Sequence, residues 1–197
     1  MLEHIHSSPI YFVTVDDFTS IQDEIKTCLK KVEFKIDDEH DPSHSLSNGY
    51  DEDIMEKHSF KKTNAEIYKH LVLYCKSLDG DALDILETSY KNKTFRRRSW
   101  LTLSKNGNYT RPHTHSGIDI CGYYHYHTNR HDGDIYFQTP NKGLEMGQCY
   151  NHKAKQWHHS PNLGKLILFP GWVPYGVTQN LTNNHRISLS FNIQLMK

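Results

Sequence analysis

Residues 100–126 read WLTLSKNGNYTRPHTHSGIDICGYYHY, and the interpretation of the whole chain starts from this segment. At its centre lies His113-Thr114-His115. Successive side chains of an extended strand point to opposite faces, so residues two apart share a face. This spacing therefore directs two imidazoles towards one point, an arrangement that suits iron or zinc.

The flanks of the histidine pair favour β-structure. Residues 100–104 and 121–126 are rich in aromatic and β-prone side chains, and Lys105-Asn106-Gly107-Asn108 predicts a turn between strands. Chance offers an alternative, because the chain has 15 histidines and a second pair, His125-Tyr126-His127, follows closely. The spacing alone leaves both interpretations open.

Composition limits the class of protein. A chain of 197 residues with 23 basic and 23 acidic side chains predicts a single domain over residues 1–197, with no nucleic-acid partner and no basic membrane anchor. The N-terminus, MLEHIHSSPIYF, lacks the pattern of a signal peptide, and no apolar run is long enough to span a membrane. We therefore expect a cytoplasmic protein, and free thiols at the four cysteines, Cys28, Cys75, Cys121 and Cys149.

The first part of the chain, residues 1–93, is predicted to be mainly helical after one strand at residues 9–15. Asp16-Asp17 can cap a helix in which apolar residues recur from Phe18 to Val32. The acidic stretch 37–62 predicts a flexible loop that either closes over a site as a lid or lies uninvolved on the surface. Thr63-x-x-Glu66 resembles a capping box that opens a second helix, and a shorter helix covers residues 82–89.

The second part, residues 94–197, has the pattern of a β-fold. Short apolar runs separated by Gly, Pro and Asn turns predict strands over residues 97–104, 111–115, 121–128, 134–138, 165–169, 176–177 and 186–193. Many short strands of this kind indicate a sandwich or a barrel, and the helices that precede them would pack on one sheet. The fold class predicted is therefore α+β.

The last strand carries a second candidate site. Ile187, Leu189 and Phe191 alternate with polar residues, so Arg186 and Ser188 share the polar face. An arginine can hold a carboxylate through two hydrogen bonds, and a serine on the same face can add a hydroxyl. An ordinary solvent-facing strand would show the same alternation.

The ordered set of motifs resembles the Fe(II)/2-oxoglutarate-dependent oxygenases, and within them a prolyl-hydroxylase-like group. Each motif is short, but their order is specific, and the resemblance covers about half of the chain, from Ser99 to Ile193. The motifs are Ser99-Trp100, Gly107, His113-Thr114-His115, CGYY at 121–124, GDIYFQTP at 133–140, FPGWVPYGV at 169–177 and RISLSFN at 186–192.

The resemblance implies a double-stranded β-helix, or jelly-roll, core that binds Fe(II) and the co-substrate 2-oxoglutarate. By analogy, His113 and His115 would ligate the iron, and Tyr175 occupies the place of the third ligand, a histidine in the family pattern. The distal carboxylate of 2-oxoglutarate would be held by residues on two strands, and the pocket would be lined by two more. These co-substrate-binding residues would be Arg186, Ser188 and Tyr124, with Trp100 and Thr102 lining the pocket.

The tyrosine leaves the ligand set open. Tyr175 either ligates the metal or does not, and His158, His159 or His185 could replace it, although no spacing selects one of them. The function implied is a dioxygenase, most simply a hydroxylase, that couples oxidative decarboxylation of 2-oxoglutarate to C–H oxidation of a small-molecule or peptide substrate. The alternatives are a catalytically silent jelly-roll binding module and a metalloenzyme of another kind that needs no oxoacid.

Overall fold

The structure is a computed structural model of the chain, and it describes residues 8–37, 41–50, 52–78, 80–141 and 156–196. Strand β1 covers Tyr11–Thr14 and helix α1 covers Phe18–Leu29. Asp17 caps α1 as predicted, because its carboxylate accepts a hydrogen bond from the backbone N–H of Ser20. The buried residues of α1 include Ile21 and Ile25, which confirms the predicted apolar face.

The predicted loop over residues 37–62 is wrong for much of its length. Strand β2 covers Lys35–Asp37, strand β3 covers Asp41–Leu46, and a short helix α2 covers Ile54–Lys57. The polar composition did not indicate this regular structure, because β2 and β3 lie at the edge of a sheet, where polar side chains are common. Asp53 then secures α2 by capping it and by accepting a hydrogen bond from Arg97 Nε at 2.7 Å.

The capping box predicted at Thr63 is also wrong. Helix α3 covers Lys61–Lys76, so Thr63 lies inside its first turn. The backbone N–H and the hydroxyl of Thr63 both donate to the Glu24 carboxylate of α1, at 2.9 and 2.7 Å. A neighbouring helix thus supplies the acceptor that a local cap would have provided. Helix α4 covers Ala82–Asn92, slightly longer than the predicted stretch.

The β-rich part of the chain builds most of two antiparallel sheets, as the sequence pattern predicted, and β1, β2 and β3 of the first part join the larger one. In the described residues the larger sheet has the order β1-β9-β6-β11-β4-β3-β2, and the smaller has the order β5-β10-β7-β8. The bounds of these later strands are β4 Phe95–Ser104, β5 Thr110–His113, β6 Ile120–His127, β7 Ile135–Phe137, β8 Trp157–His159, β9 Lys165–Phe169, β10 Tyr175–Val177 and β11 Arg186–Leu195.

The larger sheet is buried on both faces. Its outer face packs on α1 and α3 through apolar side chains that include Leu101, Leu189 and Phe191. Its inner face meets the smaller sheet in a second cluster, to which Tyr123 and Tyr175 belong. Two packed sheets with helices on one outer side form an α+β jelly roll, and the polar face of β11 turns towards the space between the sheets.

Two further expectations concern helices and thiols. Within the described residues, no helix is both long enough and apolar enough to cross a lipid bilayer. Cys28, Cys75 and Cys121 are buried free thiols, as predicted, and Cys149 lies outside the described residues.

Candidate functional site

The histidine pair lies where the smaller sheet meets a loop. Strand β5 ends at His113, which is in register with Tyr175 of β10, and His115 follows just beyond the strand. The backbone N–H of His115 donates to the carbonyl of Gly171 at 2.8 Å, so the loop before β10 holds its position. The two imidazole centroids are 4.9 Å apart, and the predicted convergence of the two rings is therefore seen in the structure.

Tyr175 completes a group of three converging donors. Its ring centroid lies 4.6 Å from that of His113, and its hydroxyl oxygen lies 3.1 Å from Nε2 of His115. Burial raises the pKa of Tyr175 well above its usual range, so the side chain is a neutral phenol. The donor set is two imidazoles and one phenol, in place of the two imidazoles and one carboxylate typical of non-haem iron oxygenases.

His115 is held at both ring nitrogens. Asn192 Nδ2 lies 3.2 Å from its Nδ1, while Nε2 faces Tyr175. Burial, with a smaller contribution from His113, lowers the pKa of His115 to about 4, so the imidazole is neutral at physiological pH. A neutral imidazole with one nitrogen fixed by a neighbour is the form in which histidine binds metals.

Gly171 explains part of the FPGW motif. A Cβ atom at this position would lie 2.4 Å from the carbonyl oxygen of Ile118 and 2.7 Å from that of His115. Only a residue without a side chain allows the loop to approach the histidine segment so closely. Gly171 therefore helps to position the backbone of His115.

A second polar group lies further along β11. Arg186, Ser188, Ser190 and Asn192 alternate on the inner face and are all buried. Arg186 is only 2% exposed, and its Nη1 donates to the carbonyl oxygens of Asp132 and Gly133 at 2.7 and 2.9 Å. The alternation predicted for this strand is confirmed, but the polar face is buried and does not meet solvent.

Gly133 is required where this arginine docks. Its φ is +105°, and a Cβ atom there would lie 2.7 Å from Arg186 Nη1. The Asp132 carboxylate fixes the same turn, because it accepts hydrogen bonds from Thr128 and Asn184. The guanidinium is thus anchored on one side by a rigid turn.

Several polar side chains around Arg186 are buried without a hydrogen-bonding partner in the described part of the chain. They are Ser104 Oγ, Ser188 Oγ and both ring nitrogens of His125. The strand register explains their proximity, because Arg186 pairs with Ser104 while Ser188 pairs with both Thr102 and His125. A buried polar atom without a partner costs about 1–3 kcal/mol, so this cluster is suited to a polar ligand. The positive charge of Arg186 makes that ligand an anion.

Trp100 and Thr102, the residues expected to line the pocket, lie on the inner face of β4. The Trp100 ring centroid is 6.4 Å from that of His115, and Tyr50 packs edge-on against Trp100 at 5.1 Å. Tyr50 belongs to the segment between β3 and α2, which therefore reaches the site. The stretch 37–62 thus contributes a residue here, although as ordered structure.

The structure does not bring Tyr124 to this site. Its side chain lies on the outer face of β6 within the helix-facing core, and its hydroxyl accepts a hydrogen bond from Gln22 Nε2 of α1 at 3.5 Å. The neighbouring Tyr123 faces inward, among the residues that surround Tyr175. We correct the prediction accordingly, because alternation permits only one of two adjacent tyrosines to face the pocket.

The three alternative histidines lie away from the pair. His158 approaches Asp134 and Gln156 and stacks on Tyr136, and His159 stacks on Phe12. His185 is exposed. Among the described residues there is also no group of three or more His, Cys, Asp or Glu side chains that could hold a metal ion. Tyr175 is therefore the third side chain that this structure offers beside His113 and His115.

Several residues of the site were not predicted from the sequence, among them Ser104 and Tyr50, and three others are instructive. Asn192 stood within the RISLSFN motif on the polar face, so its position relative to Ser188 could have indicated it. His125 was attributed to chance, and Tyr123 was passed over for its neighbour. Nothing in the local sequence tells which face of β6 points inward, because both faces are buried.

Comparison with solved structures agrees with this fold. The chain has the fold of solved 2OG-Fe(II) oxygenases, although sequence identity is low. A Pseudomonas putida prolyl-4-hydroxylase matches with a TM-score of 0.59 and 10% identity over 97% of this chain and 95% of that one. A 2OG-Fe(II) oxygenase family protein from Burkholderia pseudomallei matches with a TM-score of 0.61 and 9% identity over 94% and 84%. HygX from Streptomyces hygroscopicus, solved with nickel and 2-oxoglutarate, matches with a TM-score of 0.55 and 10% identity over 96% and 84%.

The sequence itself matches a family. Residues 98–192 fit the family model described as "Putative 2OG-Fe(II) oxygenase". This segment contains the histidine pair, Tyr175 and the Arg186 strand, and the resemblance to Fe(II)/2-oxoglutarate oxygenases is confirmed. The predicted cofactors, Fe(II) and 2-oxoglutarate, are those for which the family is named. A comparison with curated protein sequences found no match.

Proposed function

We propose that the protein is an Fe(II)/2-oxoglutarate-dependent dioxygenase, most simply a hydroxylase. The observation that carries this proposal is the buried Arg186 with its unpaired polar neighbours. A buried cation beside Ser104, His125 and Ser188 is suited to a carboxylate. The converging imidazoles of His113 and His115 lie towards the other end of the same inner face, linked to it through Asn192.

The histidine pair and Arg186 lie towards opposite ends of β11. Asn192, which contacts His115, is six residues from Arg186 along this strand, or roughly 20 Å. Side chains that extend inward from both ends shorten this gap. We infer that an oxoacid with one carboxylate at each end spans the space between them.

Each residue of the candidate site then has a role in binding the metal or the co-substrate. His113, His115 and Tyr175 would hold the metal, and Arg186 with Ser188 would hold the distal carboxylate. When bound, Fe(II) and 2-oxoglutarate supply C–H oxidation coupled to the conversion of 2-oxoglutarate and oxygen into succinate and CO2. Burial of this inner face keeps bulk water away from the reacting atoms.

The aromatic residues near His115 form one wall of the site. Trp100 is 4% exposed, and Tyr50 covers part of its indole. We infer that the substrate enters beside these rings, because the opposite end of the pocket is closed by the turn at Asp132 and Gly133. The wall also supports His115, whose ring lies beside Trp100.

A second candidate function is a binding module that lacks oxygenase activity. The observation in its favour is the hydrogen bond between Tyr175 and His115. This bond occupies Nε2 of His115, the nitrogen that would ligate iron. A neutral buried phenol is a weak ligand for Fe(II), and its deprotonation is opposed by burial. In this case the Arg186 cluster would bind an anionic ligand without any turnover.

An anaerobic titration distinguishes the two candidates. Fe(II) and then 2-oxoglutarate are added to metal-free protein, and the visible charge-transfer band of the chelated oxoacid is followed. We expect the band in the wild type, its loss in His113→Ala, and weakening by roughly ten- to a hundredfold in Arg186→Ala. His127→Ala, at an exposed histidine of β6, serves as the control and should behave as the wild type.

Succinate formation in air completes the test. Release of succinate that requires both Fe(II) and 2-oxoglutarate supports the dioxygenase. Iron binding without the band contradicts the oxoacid assignment. Binding of 2-oxoglutarate without iron supports the binding module instead.

A further inference from the structure

We propose that His125 is an uncharged hydrogen-bond donor to the distal carboxylate of the co-substrate, and that it makes the site selective for a dicarboxylic oxoacid. The inference rests on the proposed function and adds a specificity-determining residue to it. It follows from the position of His125, from its unpaired nitrogens and from its neighbours.

The position of His125 is unusual for a polar side chain. It is 1% exposed and lies on the inner face of β6, with its ring centroid 5.0 Å from that of Tyr123. Both of its ring nitrogens lack a hydrogen-bonding partner in the described residues. A neutral imidazole has one N–H donor and one acceptor nitrogen. Because both are buried here without a partner, they indicate a ligand that presents a polar group to the ring.

The neighbours of His125 define what that ligand is. Ser188, also unpaired, stands directly across from it in the strand register. The charged side chains that act on its ring are Arg186 and Lys165, both positive. These surroundings favour an anion, and the buried guanidinium places that anion at the Arg186 end of the pocket.

The charges show why an uncharged donor belongs here. Arg186 supplies one positive charge, which one carboxylate neutralises. Burial, followed by the charges of Arg186 and Lys165, lowers the pKa of His125 to about 3, so the ring adds an N–H without a second buried charge. Both N–H groups of Arg186 Nη1 already donate to carbonyls, so the arginine keeps Nε and Nη2 for the carboxylate, and His125 can donate to an oxygen lone pair that these do not satisfy.

Two acids that differ only at the distal end test this role. The probes are 2-oxoglutarate and 2-oxopentanoate, which has the same chain length without the second carboxylate. The dissociation constant of each is measured anaerobically with the Fe(II)-loaded protein by calorimetry. The variants are His125→Phe, which fills the space without a donor, and His125→Gln, which keeps an N–H. His127→Phe on the same strand is the matched control.

We expect His125→Phe to weaken the binding of 2-oxoglutarate by roughly ten- to a hundredfold. The affinity for 2-oxopentanoate should change by less than about twofold. His125→Gln should recover most of the loss, and His127→Phe should equal the wild type. If the wild type prefers 2-oxoglutarate and His125→Phe retains the full preference, the role of His125 is overturned while the proposed function stands. If the wild type binds both acids equally, or neither, both proposals fail.

A measurement on the wild type covers the case in which His125→Phe does not fold. The imidazole ¹⁵N resonances of the Zn(II)-loaded protein are recorded with and without 2-oxoglutarate. The His125 nitrogens should shift on binding while the ring remains neutral, whereas those of His127 should not move. Unchanged His125 resonances at saturating 2-oxoglutarate would overturn the proposal.

Discussion

The two ends of the candidate site differ in how their polar atoms are paired. At the histidine end, Nδ1 of His113 approaches the carbonyl of Arg111 at 2.8 Å, and both nitrogens of His115 have partners. At the arginine end, the side-chain polar atoms of His125 and Ser188 are buried without a hydrogen-bonding partner among the residues that the structure describes. The polar atoms at the histidine end are hydrogen-bonded within the protein, whereas those at the arginine end are left for a ligand.

The two ends also differ in how closely they match the family pattern. The arginine end has the unpaired groups expected of a site for a carboxylate. The histidine end departs from the usual iron site through Tyr175, whose hydroxyl bonds to the nitrogen that a metal would need. A metal bound to Nε2 of His115 would have to displace this hydrogen bond, and the cost of displacing or deprotonating the phenol would lower its affinity.

The largest effect is expected from Tyr175→His. An imidazole is a better neutral ligand for Fe(II) than a buried phenol, so the affinity for Fe(II) should rise by roughly ten- to a hundredfold. A competition titration against a chelator measures it. Tyr109→His, a partly exposed tyrosine near β5, is the control. An unchanged or weaker affinity in Tyr175→His would mean that the phenol already serves as a ligand, and the two ends would then be equally functional.

A smaller effect concerns acid stability at the arginine end. Because the pKa of His125 is about 3 in the folded protein and about 6.5 in the unfolded chain, the unfolded state binds more protons between these values. The free energy of unfolding of the metal-free protein should therefore fall as pH falls below about 6.5.

The variant His125→Gln removes this one contribution. Its stability should decline less steeply, by about 1–2 kcal/mol between pH 6.5 and pH 5, than that of the wild type. Urea unfolding at several pH values measures the slopes, and His127→Gln provides the reference. Parallel slopes for His125→Gln and the wild type would show that His125 is not held neutral in the fold.

The smallest effect separates the two adjacent tyrosines of β6. Tyr124→Phe removes only the long hydrogen bond to Gln22, so it should cost at most about 1 kcal/mol of stability and leave 2-oxoglutarate affinity within about twofold. Tyr123→Phe, on the inner face, should weaken 2-oxoglutarate by several-fold. Calorimetry measures the affinity of both variants for 2-oxoglutarate. A larger loss of affinity in Tyr124→Phe than in Tyr123→Phe would contradict the assignment of Tyr123 to the inner face of β6.

Much of the fold was predictable because it depends on local patterns. The alternation in β11 indicated a polar face that includes Arg186 and Ser188, and the strands before it were bounded by turn residues. The segment 37–62 was not predictable, because β3 has few apolar residues to mark it as a strand and depends on its pairing with β4. Thr63 was misread for a related reason, since its partner Glu24 is distant in sequence.

The sequence by itself determined the H-x-H pair, the replacement at Tyr175 and the polar face of the last strand, because these are properties of residue type and spacing along one chain segment. The tertiary structure alone decided which face of β6 points inward. Tyr123 and His125 lie on the inner face, and Tyr124 faces α1. Both faces of that strand are buried, so hydrophobicity could not distinguish them. Only the packing of helices on one side and a second sheet on the other made the choice.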